Sequence, residues 1–264
     1  MHALILSDLH LGARNSQHQL MLERLAPKPL RHITHIILNG DVVDHLNFEA
    51  FRPADWTVVH RLQQLAQEDR LVVVKGNHDQ PRRSGEGCIS RYVLGDLLGV
   101  ELKTELTLYV DGQCYLLLHG DQYDQTLNMS LLGYAAEAFY RQTQRWHQPT
   151  SRWLKRQSKS ILGIERTVRQ LAMADALRRG FDGIILGHTH YAMDEVDAHG
   201  IRYCNSGSWV DDVCTYLELR DDQLELKAWD GQENRVELII DRRKMLEGQA
   251  GERRRDSAVA AVHS

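Results

Sequence analysis

Seven side chains in this sequence belong to the types that bind hard or borderline cations, and each follows a short apolar run. Asp8 and His10 come after Ala3–Leu6, Asp41 after Ile36–Leu38, and Asn77 after Leu71–Val74. His119 comes after Tyr115–Leu118, and His188 and His190 after Gly183–Leu186. An apolar run of strand length that stops at Asp, Asn or His reads as a buried strand delivering polar groups at its carboxyl end. In an open sheet that edge is where loops converge and ligands bind. Mixed carboxylate, amide and imidazole donors suit Mn²⁺, Fe²⁺, Zn²⁺ or Mg²⁺ better than a soft, thiolate-loving metal. Two such cations side by side repel, and a central carboxylate shared between them, such as an Asp, offsets that repulsion. A lone Asp-x-His is ordinarily chance, and a lone Gly-His-Thr-His could be a turn with exposed imidazoles. Five blocks in succession, each after an apolar run, are not explained that way. The remaining histidines, among them His32, His35, His60 and His147, lack this context and read as surface or packing groups.

The elements that would position these groups follow from periodicity. Gln17–Ala26 carries leucines and Met21 at helical spacing, and Val58, Val59, Leu62, Leu65 and Ala66 mark a second amphipathic helix. Strand, helix, strand, helix, strand implies parallel crossover units, with continuous apolar runs that suit strands covered on both faces. Beyond Val100, Thr104–Val110 and Gln113–Leu118 flank Asp111-Gly112, a strong hairpin signal. Ile201–Val210, Thr215–Arg220 and Leu224–Trp229 read as further short strands. Parallel crossovers therefore open the chain, antiparallel strands close it, and the expected class is α/β with two sheets between helices.

Composition bounds the rest. The chain has 264 residues, 42% hydrophobic and 26% charged, enough for a sizeable core. A net charge of −4 gives no global attraction to nucleic acid. The four cysteines form no Cys-x-x-Cys pair and read as reduced thiols. The first strand starts directly after Met1 and no apolar run approaches a membrane span, so the expectation is a soluble cytoplasmic protein. Residues 124–180 differ in character: ten Lys and Arg stand against four Asp and Glu. Tyr134, Phe139, Tyr140, Trp146 and Trp153 are interleaved with Arg141, Arg145, Arg152, Lys155, Arg156 and Lys159. This helical insert falls between the strands that end at His119 and His188. It reads either as a solvated basic helix pair or as a lid that holds an anionic, partly apolar substrate or touches a membrane surface. Residues 1–240 are expected to form one domain with the insert, followed by a tail, 241–264, whose composition suits disorder.

The blocks Asp-x-His, Gly-Asp-x-x-Asp, Gly-Asn-His-Asp, His-Gly-Asp and Gly-His-Thr-His, in that order, resemble the calcineurin-like metallophosphoesterases over roughly Met1 to Trp229. The resemblance implies a four-layer α/β/β/α sandwich and a centre of two divalent cations, Mn²⁺ foremost. It places Asp8, His10, Asp41 and His190 on one ion and Asp41, Asn77, His119 and His188 on the other, with Asp41 bridging. It makes His78 the catalytic imidazole and Asp79 its orienting partner, while Asp44 and Asp121 support the ligands from behind. Ser-Asp-Leu-His-Leu at Ser7–Leu11, His-Gly-Asp at His119–Asp121, the helical insert and Asn-Ser-Gly-Ser-Trp-Val at Asn205–Val210 resemble the UDP-2,3-diacylglucosamine pyrophosphatase group. That group acts in lipid A assembly at the inner membrane face and usually carries Arg where this chain has His78. The implied partner is a phosphorylated small molecule or glycolipid, with no protein partner expected. Arg14, Arg82 and Arg83 follow site blocks and read either as phosphate-binding groups or as surface charge. Two further function classes stand beside the hydrolase: a nuclease of the same chemistry, disfavoured by the acidic chain, and a non-catalytic scaffold of the same fold.

Overall fold

The computed structural model describes residues 2–80, 93–124, 151–211 and 213–229, with backbone alone over 151–162. Ala3–Leu6 (β1) is buried at every position, which a strand achieves only when both of its faces are covered. Its side chains divide by parity. Ala3 and Ile5 enter a core shared between two sheets, whereas Leu4 and Leu6 pack among helices. His35–Asn39 (β2) repeats the division, with Ile37 between the sheets and Ile36 and Leu38 beneath the helices.

The first sheet adds Leu71–Val74 (β3), Leu102–Lys103 (β4), Cys214–Arg220 (β10) and Gln223–Trp229 (β11), in the order β11-β10-β1-β2-β3-β4. β1 to β4 run parallel, and β10 returns antiparallel beside β1. Its outer face is covered by His18–Arg24 (α1), Pro53–Gln67 (α2) and Val93–Leu98 (α3). α2 begins with Pro53, whose missing N–H is no loss there, and presents Val58, Val59, Leu62 and Leu65 to the sheet.

The second sheet contains Leu106–Val110 (β5), Gln113–Leu117 (β6), Gly183–Leu186 (β7), Met193–Val196 (β8) and Arg202–Asn205 (β9), in the order β5-β6-β7-β9-β8. β5 and β6 form the expected hairpin, with Asp111 and Gly112 both at positive φ, as a two-residue turn of matching twist needs. Ser151–Arg179 (α4) covers the outer face. Its Val168, Ala172 and Ala176 are fully buried against Leu116, Leu118, Ile184 and Leu186. The layers are therefore helices, sheet, sheet, helix. No helix among the described residues is long and apolar enough to cross a membrane.

Three expectations need correction. The second half is not purely antiparallel, because β7 and β9 lie parallel to β6 in a second open sheet, while β10 and β11 extend the first. The strand expected over Ile201–Val210 stops at Asn205, where Asn205 Nδ2 turns back to donate to the Gly187 carbonyl at 2.7 Å and Gly207 takes φ +77°. From about Ile164 the basic insert packs as the outer layer of the second sheet. Residues 125–150, Arg82, Arg83 and the tail 241–264 lie outside the described residues.

Candidate metal centre

The loops after β1 and β2 are laced together before any side chain takes part. Asp8 N–H donates to the Gly40 carbonyl, His10 N–H to Asp41, Leu11 N–H to Val42 and Asp44 N–H to Leu11, all within 3.0 Å. Gly187 N–H reaches the His119 carbonyl at 3.0 Å, joining two loops of the second sheet, and Trp209 N–H reaches the Asp8 carbonyl at 3.1 Å, which ties the second sheet's loops to the first's. Five of the seven expected ligands, Asp8, His10, Asp41, His188 and His190, sit at positive φ between 46° and 63°. Non-glycine residues rarely adopt that conformation, and Asp and His tolerate it better than most. Each instance costs on the order of 1–3 kcal/mol and persists where surrounding bonds over-determine it, as they do at functional sites.

Several of these side chains lie close together. Asp8, His10 and His190 form one group, His10, Asp41 and His78 a second, and Asp41, His119 and His188 a third, with donor atoms within 4.8 Å of one another in each. His10 Nε2 and His190 Nε2 lie 3.2 Å apart, and His190 Nε2 lies 3.1 Å from Asp8 Oδ1. Asp41 Oδ2 stands 3.3 Å from His119 Nε2, 3.9 Å from His10 Nε2 and 4.0 Å from His78 Nε2. Asp41 Oδ1 accepts the His78 backbone N–H at 2.9 Å. Close packing is built in around this carboxylate: a methyl group at Gly76 would lie 2.2 Å from Asp41 Oδ1, and one at Gly40 would lie 2.3 Å from the His119 ring.

The electrostatics show which charge the site accommodates. Burial alone would raise Asp41, yet His119, His78 and His10 hold its carboxyl well below the usual range. Burial would likewise lower His119, but Asp41, Asp8 and Asp121 raise it well above an ordinary imidazole. His190 is raised against its burial by Asp8 and Asp41. Protons on these imidazoles thus stand where positive charge is wanted, and a cation can replace them. The residues fit such an ion in a second respect. Asn77 Oδ1 is buried without a hydrogen-bond partner, and an unmade bond at a buried polar atom costs about 1–3 kcal/mol.

Ring orientations are fixed from behind. His119 Nδ1–H donates to the Asn39 carbonyl at 2.8 Å, which turns Nε2 toward Asp41. His10 Nδ1 faces Asp44 Oδ1 at 3.3 Å, and although burial would raise Asp44, the bond to His10 and the charges of His10, His78 and His45 together hold it below the usual carboxyl range. His78 differs from its expected arrangement. Its Nδ1–H donates to the Asp44 carbonyl at 2.8 Å, so the backbone of Asp44, rather than Asp79, holds the ring. The Asp79 carboxylate instead accepts backbone N–H groups of Gly76, Val42 and Val43 at 2.8, 2.9 and 3.2 Å. Asp79 clamps the β3 loop to the β2 loop, and burial together with the Asp41 charge pushes it up to about 7. Asp121 opens the short 3-10 turn Asp121–Tyr123 and adds to the field on His119. Arg14 is exposed, its carbonyl accepting from Arg52 Nη1 at 3.3 Å.

Three supporting residues were not foreseen. Asn39 donates to the Leu118 carbonyl at 3.0 Å and so joins the two sheets under His119. Asp55, fully buried on α2, accepts from Gly12 N–H at 2.8 Å, Arg52 N–H at 2.7 Å and the His18 ring, which fixes the loop after His10. Asp124 meets His188. Asn39 had a signal, being polar at a strand end. Asp55 and Asp124 had none at the site, because their imidazole partners, His18 and His188, lie 37 and 64 positions away.

No curated protein matches the chain in sequence. Solved structures with a similar fold include Yfce, a phosphoesterase from E. coli, with 18% identity and a TM-score of 0.48 over 86% of this chain and 92% of that one. A novel archaeal phosphodiesterase has 16% identity and a TM-score of 0.46 over 86% and 99%. A Vps29 mutant from Entamoeba histolytica has 15% identity and a TM-score of 0.41 over 86% and 98%. The sequence model of the calcineurin-like phosphoesterases matches residues 1–192, a span that takes in the five strand-end blocks from Asp8 to His190, and the chain belongs to that family.

Proposed function

We propose that the protein is a dinuclear metal-dependent hydrolase of phosphodiester or diphosphate bonds. The observation that carries this reading is Asp41, a buried carboxylate common to two donor groups, with His10 linking it to the third. In this reading Asp8, His10, Asp41 and His190 hold one divalent cation and Asp41, Asn77, His119 and His188 the other, with Mn²⁺ the first choice for this donor set. Bound cations supply Lewis acidity toward phosphate oxygens and make an attacking water more acidic.

The chain's own groups do the rest. The Asp44 carbonyl engages His78 Nδ1–H, which leaves Nε2 as the atom that delivers a proton to the departing oxygen. His78 is partly buried, and its Nε2 faces the side of Asp41 at 4.0 Å, within reach of a reacting phosphate near that carboxylate.

For the substrate, the motif likeness at Ser7–Leu11, His119–Asp121 and Asn205–Val210 supports a sugar-nucleotide lipid of the UDP-2,3-diacylglucosamine kind. The basic, aromatic sequence upstream of Ile164 would cover its acyl chains and carry a peripheral contact with the inner membrane surface. His78 in the place of that group's Arg favours instead a sister substrate with a plainer phosphodiester or diphosphate. A panel of UDP-diacylglucosamine, UDP-sugars, cyclic nucleotides, an aryl phosphodiester and single-stranded DNA separates these. Cleavage abolished by a chelator and restored by Mn²⁺ is expected. Turnover that survives complete metal removal, or none on any member with Mn²⁺ present, defeats the proposal.

A further inference from the structure

The 3-10 turn after the His119 block carries a second link into the metal centre. Asp124, at the end of the turn, is buried, and its Oδ2 lies 3.1 Å from His188 Nε2. His188 belongs to the donor group with Asp41 and His119, and its ring meets the His119 ring edge-on at 5.3 Å between centroids. A neutral imidazole has one N–H and one lone pair. With Nε2–H given to Asp124, the lone pair is on Nδ1, and only Nδ1 can act as a ligand.

The turn that presents Asp124 is itself anchored. Tyr123 N–H and Asp124 N–H close it on the Gly120 and Asp121 carbonyls at 3.1 Å each, and Gly120 takes φ +111°. Tyr123 Oη donates to Asp175 Oδ2 on α4 at 2.8 Å. Asp175 is held in turn by Arg178 and, at 3.7 Å, by Arg179, which pairs with Glu105 at 2.6 Å. A continuous run of bonds therefore leads from the outer helix through the turn to a candidate ligand.

We propose that Asp124 is a positioning residue that sets the tautomer and ring plane of His188, so that one of the two cations binds tightly only while Asp124 is present. This rests on the metal-centre reading above. A bare ion pair between Asp124 and a protonated His188 would predict the opposite, since losing Asp124 would then free the imidazole for a cation.

The test is calorimetric titration of the metal-free full-length protein with Mn²⁺, comparing wild type, Asp124→Ala, Asp124→Asn and Tyr123→Phe. Asp124→Ala should weaken one of the two binding events by about 10–100-fold and leave the other in place. Asp124→Asn keeps an acceptor oxygen for His188 Nε2–H and should recover part of the loss. Tyr123→Phe, which loosens the turn, should produce a smaller weakening of the same event. Thermal melting of each metal-free variant, read alongside, should stay close to wild type; if Asp124→Ala does not fold, Asp124→Asn against Tyr123→Phe carries the comparison. Unchanged or tighter binding in Asp124→Ala overturns the proposal, as does equal weakening of both events with a lowered metal-free melting temperature. A wild type that takes up no divalent cation fails at the metal-centre reading itself and removes this inference with it, an outcome distinct from a wild type that binds two ions and a variant that binds them equally well.

Discussion

Asp41 is where the charges of the site meet, since it touches His119, His10 and His78 and receives the His78 backbone N–H. Replacing it with Asn keeps the shape and an acceptor for that N–H but removes the negative charge that stabilises neighbouring cations. Asp41→Asn is expected to lose bound metal, measured by elemental analysis after dialysis. His78→Ala is expected to keep its metal while turnover of an aryl phosphodiester falls by about 10²–10⁴-fold, the usual range for removing a proton-transfer group. The two variants discriminate because they predict opposite metal contents; a metal-free His78→Ala together with a metal-loaded Asp41→Asn would reverse the assigned roles.

At the scale of elements, the strands deliver their last residues to a common edge, and the loops beyond them bend sharply enough to turn those residues inward. Left-handed backbone at five ligand positions is the cost of that bend, offset by the lacing between the β1 and β2 loops. Glycines permit the closest approach. A Cβ on Gly76 would sit 2.4 Å from the Asp41 backbone nitrogen, an atom that cannot swing aside. Gly76→Ala should destabilise the protein by about 1–3 kcal/mol by overpacking and lower its metal content. Gly163→Ala is the internal control, since its Cβ meets nothing within 4 Å on a helix. That substitution should raise stability by about 0.5–1 kcal/mol, as an exposed helical glycine predicts. Chemical denaturation measures both, and a neutral Gly76→Ala would show that the loop relaxes freely.

For the molecule as a whole, four layers must be held in register for two sheets' loops to meet, and buried polar clamps contribute to that as well as apolar packing. Asp55 joins α1, α2 and the loop after β1 through Gly12, Arg52 and His18. Burial opposes its charge, but Arg52, Gly12 and His18 together lower its carboxyl below the ordinary value. A carboxyl lowered in the folded state stabilises fully above its unfolded value of about 3.9 and loses that contribution as pH falls through the lower folded value. Asp55→Asn should therefore cost on the order of 1–3 kcal/mol at neutral pH, with the gap to wild type closing below about pH 4. Denaturant melts at pH 7 and pH 3.5 check this; a gap that widens in acid would contradict the stated sign.

The chemistry of the site was legible in the sequence because strand-end blocks are local. Each apolar run and the polar residues after it lie within about ten positions, and β-strand periodicity places those residues at one edge. The two-sheet architecture was legible for the same reason, since runs such as Ala3–Leu6 and Gly183–Leu186 are apolar on both faces. Only the tertiary structure showed that β10 and β11 return to the first sheet, that the basic insert from about Ile164 onward is a packed layer, and that the Asp44 carbonyl, not Asp79, holds His78. Those outcomes depend on which buried donor finds which acceptor across tens of residues, and nothing in local pattern encodes that pairing. Asp79 beside His78 looked like its partner, but side chains at adjacent positions leave the backbone in different directions, and here the carboxylate meets the main chain instead.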